Sequence, residues 1–143
     1  MSKLRLLLVL LLLLAQPAWA GFPGSSLSGW GIVQPISITG STKILTGVAG
    51  KRIQISVIDL VLSAADNIAL VEGTGTTCGT NTAGMAGGTT AGAGWNFTTN
   101  QLIFSVGDGN GLIFMEATAG DDVCLLVSTG AQVSGSMTWG TYP

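Results

Sequence analysis

From Ile36 onward, apolar and polar residues alternate in short runs broken by Gly, Asn and Asp, and no useful stretch repeats apolar residues at helical spacing. Ile36-Ser37-Ile38-Thr39 alternates cleanly, and Gly40-Ser41 turns it toward Thr42-Lys43-Ile44-Leu45-Thr46. Arg52 to Leu62 is more informative. Ile53, Ile55 and Val57 share one phase with Gln54 and Ser56 opposite, but beyond Val57 the phase flips, so that Ile58, Leu60 and Leu62 carry the apolar face. A one-residue slip in a period-two pattern is the mark of a β-bulge. A buried helix would also tolerate such an apolar run, yet Ile and Val are poor helix formers and no capping residue precedes Arg52.

Ala64-Ala65-Asp66 reads as a turn and Asn67 to Glu72 as a strand. In Gly73 to Gly94, 8 Gly, 7 Thr and 4 Ala make up 19 of 22 residues, which predicts a long surface loop, with room for a short strand pinned at Cys78. Trp95-Asn96-Phe97 restarts the alternation. Leu102, Phe104 and Val106 share a face, and the Gly107-Asp108-Gly109-Asn110-Gly111 turn leads into Leu112 to Ala117, the pattern of a hairpin. Val123, Leu125 and Val127 oppose Cys124 and Leu126, as expected of a central strand covered on both sides. The last run sets Val133, Met137 and Trp139 against Gln132, Ser134, Ser136 and Thr138. About eight short strands with such frequent turns predict an all-β fold, a single antiparallel β-sandwich of jelly-roll type.

The start of the chain has a different character. Lys3 and Arg5 precede an unbroken apolar stretch from Leu6 to Leu14, and Ala18-Trp19-Ala20 supplies the small residues of a signal-peptidase site. Such a stretch is too short to span a bilayer, which takes about 20 apolar residues. The organisation expected is a signal peptide at 1–20, an N-terminal segment at 21–35 and a sandwich at 36–143, in an exported protein with no membrane span after cleavage. Removing residues 1–20 from 143 leaves 123, and losing Lys3 and Arg5 takes the formal charge from −2 to −4. With only Lys43, Lys51 and Arg52 remaining, nucleic acid is not an expected partner. In an oxidising compartment the lone pair Cys78 and Cys124 is read as a disulfide, with two buried thiols the other possibility.

Candidate chemistry is sparse. With no His in the chain, the usual general base for a Ser or Cys nucleophile is missing, and Ser–Lys catalysis would fall to Lys43 or Lys51. Glycoside hydrolysis would draw its two carboxylates from Asp59, Glu72 and Glu116. Asp108 and Asn110, with Gly120-Asp121-Asp122, raise calcium, but the later Glu of a calcium loop is lacking and turn chemistry accounts for them. Two Cys and no His exclude a zinc site, and no cofactor is expected. Trp30, Trp95 and Tyr142 are the aromatic residues that could contact a sugar or a partner, whereas Trp139 shares the core phase. Asn96-Phe97-Thr98 matches a glycosylation sequon, which matters only in a eukaryotic host.

Three segments carry a resemblance. Ala64 to Thr80, with its Gly-Thr-Gly-Thr-Thr-Cys-Gly-Thr run, Asp122 to Ser128 around Cys124-Leu125-Leu126-Val127, and Ala131 to Gly135 resemble a group of short phage and prophage proteins, taken to be small virion-associated or structural β-sandwiches. The likeness covers about residues 36 to 142 and implies no catalytic residues. The leader is a departure from that group, since tailed-phage virions assemble in the cytoplasm. The leading expectation is a non-enzymatic structural or interaction protein, acting as a homo-oligomer or on a virion or cell-surface protein. An exported carbohydrate-binding or adhesive module, and a hydrolase using the three carboxylates, are the alternatives.

Overall fold

The computed structural model describes residues 31–98, 104–107 and 115–143. Ten strands occur among them: β1 Ile32–Ile38, β2 Thr42–Leu45, β3 Arg52–Leu62, β4 Asp66–Thr74, β5 Thr80–Ala86, β6 Trp95–Phe97, β7 Phe104–Gly107, β8 Met115–Glu116, β9 Asp122–Val127 and β10 Val133–Tyr142. One 3-10 turn spans Ala91–Ala93, and no described helix is long and apolar enough to cross a membrane. The leader at 1–20, Trp30 and most of the Gly107–Gly111 turn lie outside the described residues.

All pairing is antiparallel and falls into two five-stranded sheets. Sheet A has the order β1-β10-β3, with β7 and β8 both on the far side of β3; sheet B has β2-β9-β4, with β5 and β6 both on the far side of β4. The first four strands pair with the later ones in reverse: β1 with β10, β2 with β9, β3 with β8 and β7, and β4 with β6 and β5. The chain is thus a long two-ply ribbon. Rolling it up adds the contacts of β10 with β3 and of β9 with β4.

Alternation decides which face of each strand meets the other sheet. Sheet A buries Ile36, Ile53, Ile55, Ile58, Leu60, Val133 and Met137, and these pack with Leu45, Ile68, Leu70, Phe97, Val123 and Leu125 of sheet B in one hydrophobic core. A smaller cluster lies on the outer face of sheet B, where Ala69 and Val71 of β4 and Cys124 of β9 are covered by Cys78. The Cys78–Cys124 disulfide, with a Cα–Cα distance of 5.9 Å, ties the 75–79 loop down across that face. Sheet B is therefore covered on both sides, which explains why β9 is apolar in both phases.

The β3 bulge is where the phase flip places it. Thr138 pairs with Val57 and Trp139 with Ile55, leaving Ser56 as the extra residue. Ile55 and Ile58 can then both face the core, and Ser56 donates its hydroxyl to the Thr138 carbonyl at 3.3 Å.

Three expectations need correction. β7 and β8 do not form a hairpin with each other. Both run antiparallel to β3, β7 along Val57–Leu60 and β8 along Gln54–Ile55, so they share a direction and continue one edge. Gly73–Gly94 holds the strand allowed for it, but with more order than a surface loop: β5 runs over seven residues, Thr80–Ala86, beyond Cys78, and the 3-10 turn follows within the same segment. Small residues permit that order by close backbone approach: a Cβ on Gly94 would stand 2.0 Å from the Ile68 carbonyl oxygen. Finally, β1 begins at Ile32, ahead of the expected boundary at 36, and pairs along its whole length with β10.

Candidate functional site

One end of the sandwich is organised around Asp66, the first residue of β4. A carboxylate entering a strand next to an apolar core needs donors, and the turn after β9 supplies them. Oδ1 accepts from the backbone N–H groups of Asn67 at 2.7 Å, Ser128 at 3.0 Å and Thr129 at 3.0 Å, and from the Ser128 hydroxyl at 2.5 Å. Oδ2 accepts from Ala131 N–H at 3.1 Å and Thr129 N–H at 3.2 Å. Burial by itself pushes the carboxyl up, but the hydrogen bonds from Ser128, Thr129 and Ala131 outweigh it and hold Asp66 far below the usual carboxylate range. This is an anion held in a ring of amides, with its lone pairs occupied.

Beside it opens a cavity of about 320 Å³. Asn67 of β4 and Asn96 of β6, neighbours across the β4–β6 pair, line one wall. Their amides are linked, Asn96 Nδ2 donating to Asn67 Oδ1 at 2.7 Å. Ser128 and Thr129, with the apolar side chains of Ala65 and Phe97, complete the lining. No described lining residue is cationic.

A second polar group sits on the outer face of sheet A. Glu116 receives Arg52 Nη1 at 2.8 Å, Gln54 Nε2 at 2.9 Å and the Tyr142 hydroxyl at 3.2 Å. The Gln54 hydrogen bond, with Tyr142 and the Arg52 charge behind it, holds Glu116 below its ordinary range against the opposing effect of burial. The Oε1 of Gln54 is buried without a partner among the described residues. Away from this group the face carries small and β-branched residues. Val33, Pro35 and Ser37 of β1 stand in register with Thr138, Ser136 and Ser134 of β10, which in turn meet Val57, Asp59 and Val61 of β3. Val33 is 60% exposed and Val61 41%.

The aromatic candidates are not gathered into one platform. Trp95 packs between the sheets against the core, Tyr142 lies outside sheet A, and Trp30 is outside the described residues. Trp139 packs against the core, as its phase predicts. The carboxylates are dispersed too. Asp59 and Glu116 share the outer face of sheet A, but Glu116 pairs with Gln54, five residues along β3 from Asp59, or roughly 15 Å by strand rise. Glu72 is on sheet B, where both its oxygens accept from Thr118. The Asp59–Glu116 separation suits neither geometry of glycoside hydrolysis. Lys43 forms an ion pair with Asp122 at 3.2 Å, and Asp122 also accepts from Gly47 N–H at 2.8 Å. Burial, with Glu72 and Asp122 nearby, pushes the neighbouring Asp121 up. Among the described residues no three His, Cys, Asp or Glu are placed to hold a metal ion.

The Asp66 cradle escaped sequence reading because a single Asp after Ala64-Ala65 is an ordinary turn signal. Its donors lie sixty residues away in Ser128-Thr129-Gly130-Ala131, another turn signal, and nothing local links the two. No protein-family model, curated protein or solved structure matches the chain, so the geometry alone carries the functional reading.

Proposed function

We propose that this is an exported, non-enzymatic structural protein of jelly-roll architecture, of phage or prophage type, that works by associating with copies of itself. The reversed pairing of early with late strands supports the jelly-roll reading, because a rolled two-ply ribbon is how that fold is built. The disulfide supports export, since such bonds persist in oxidising compartments. The observation that carries self-association is the outer face of sheet A, a broad pleated surface whose β1, β10 and central β3 rows hold small hydroxyls, Pro35 and exposed valines, with Asp59 as their one carboxylate. Two such faces can meet without desolvating many charges. Charged side chains are sparse, 8% of the chain, so few of them stand in the way of contact between copies.

Sedimentation equilibrium on residues 21–143 tests this reading. A defined, concentration-dependent oligomer is expected. Val33→Lys with Val61→Lys should convert it to monomer, and Asp59→Asn should tighten it by removing a charge repeated in each copy. A strict monomer at the highest soluble concentration, or an oligomer indifferent to these substitutions, would refute it.

A second reading, an exported carbohydrate-binding module, is favoured by one observation: the neutral, amide- and hydroxyl-lined cavity beside Asp66. A glycan array probed with the same protein tests it, and absence of signal would remove it.

A further inference from the structure

We infer that the cavity between the start of β4, the end of β6 and the turn after β9 is a binding site for one neutral pyranose ring, oriented by the linked amides of Asn67 and Asn96. This rests on the carbohydrate-binding reading and is independent of self-association.

The chemistry of the lining selects the ligand class by elimination. A cation would need free carboxylate lone pairs, but both oxygens of Asp66 are taken up by the amides of Asn67, Ser128, Thr129 and Ala131 and the hydroxyl of Ser128. An anion would meet the ionised Asp66 with no Lys or Arg in the described lining to offset it. A purely apolar ligand would strip water from amides and hydroxyls without replacing their hydrogen bonds. What remains is a neutral molecule rich in groups that both donate and accept, which describes a sugar hydroxyl.

The amide pair adds a direction. Because Asn96 Nδ2 donates to Asn67 Oδ1 at 2.7 Å, Asn96 presents Oδ1 as an acceptor and Asn67 presents Nδ2 as a donor. Two adjacent hydroxyls of a ring satisfy this pair together, one donating to Asn96 and its neighbour accepting from Asn67. Thr98 and Thr129 offer further hydroxyls, and the exposed Ala65 supplies apolar surface for the C–H face of the ring. The pocket is open to solvent, and its volume of about 320 Å³, at the small end of ligand pockets of about 300 to 1,000 Å³, gives room for contact with one ring. At the modest efficiency of ordinary ligands, a ring of about a dozen heavy atoms binds with a Kd on the order of millimolar.

The experiment uses residues 21–143 made in a bacterial host, so that Asn96 carries no glycan. Saturation-transfer NMR and chemical-shift titration would be run with methyl α-glucoside, methyl α-mannoside, methyl β-galactoside and N-acetylglucosamine, with N-acetylneuraminic acid as the anionic control. At least one neutral sugar is expected to saturate with millimolar Kd and to shift the Asn67 and Asn96 side-chain amides, while the anion binds at least tenfold more weakly. Asn96→Ala, at an exposed position, should weaken binding at least tenfold, and Ser136→Ala on the outer face of sheet A should leave it unchanged. Binding that survives Asn96→Ala, or that favours the anion, overturns this site while leaving the carbohydrate reading standing. No transfer to any neutral sugar, together with a blank glycan array, overturns both, and the oligomeric state of the same samples stays a separate result.

Discussion

Asp66 concentrates more interaction than any other described side chain, and it does so for the turn that closes β9 onto β10. Its carboxylate replaces water for the N–H groups of Ser128, Thr129 and Ala131, which would otherwise face a neighbour without an acceptor. Asp66→Asn puts an amide NH₂ or a single carbonyl among those donors and should cost about 3 kcal/mol, lowering Tm by on the order of 10 °C in thermal melts. The pH dependence has a definite sign. Asp66 titrates in the folded protein below its unfolded value of about 3.9, so its contribution is present above pH 4 and is lost as pH falls below that. Glu116 acts in the same direction, while the raised Asp121 opposes them. Wild-type protein should therefore lose stability steeply between about pH 4 and pH 2, and Asp66→Asn should flatten that slope; equal slopes for the two proteins would contradict the assignment. None of this is legible in the residues themselves, because apart from the Ser128 hydroxyl the partners of Asp66 are backbone groups, and backbone groups have no sequence signature.

Among the elements, β3 was open to sequence reading and the edge formed by β7 and β8 was not, for one physical reason. A side-chain period reports which face a residue occupies, so the slip after Val57 could be seen as a bulge. It carries no information on which strand lies alongside. Phe104–Gly107 and Met115–Glu116 have the alternation of a hairpin, yet each pairs with β3, and the likeness to a hairpin came only from the Gly-Asp-Gly-Asn-Gly turn between them. The bulge makes a prediction in return. Deleting Ser56 removes the extra residue and leaves Ile53, Ile55, Ile58 and Leu60 all in phase with the core, so the shortened protein should keep its fold at a cost of about 1–2 kcal/mol. Deleting Asp59, three residues on, restores no register and turns Leu60 and Leu62 outward, and should abolish the cooperative unfolding transition. Circular dichroism melts of the two deletions separate these outcomes, and equal damage from both would mean that the bulge is not what sets the phase.

At the scale of the whole molecule, the two sheets are held by one large core, and the single covalent cross-link lies outside it. Cys78 and Cys124 sit in the small cluster on the outer face of sheet B, so the bond does not join the sheets; it fastens the loop between β4 and β5 to the central strand β9. The main apolar core does not depend on it. Its effect is expected on the unfolded chain, where a link across 46 residues removes conformational freedom equivalent to roughly 4 kcal/mol. Added to that is the loss of two buried sulfurs packed on Ala69 and Val71. Cys78→Ala with Cys124→Ala should thus lower the denaturant midpoint strongly while amide chemical shifts outside 73–83 and β9 remain native. A protein that loses its sheet signal altogether would show that the loop organises the sandwich, and one whose midpoint hardly moves would show that the unfolded chain is already compact around that pair of residues.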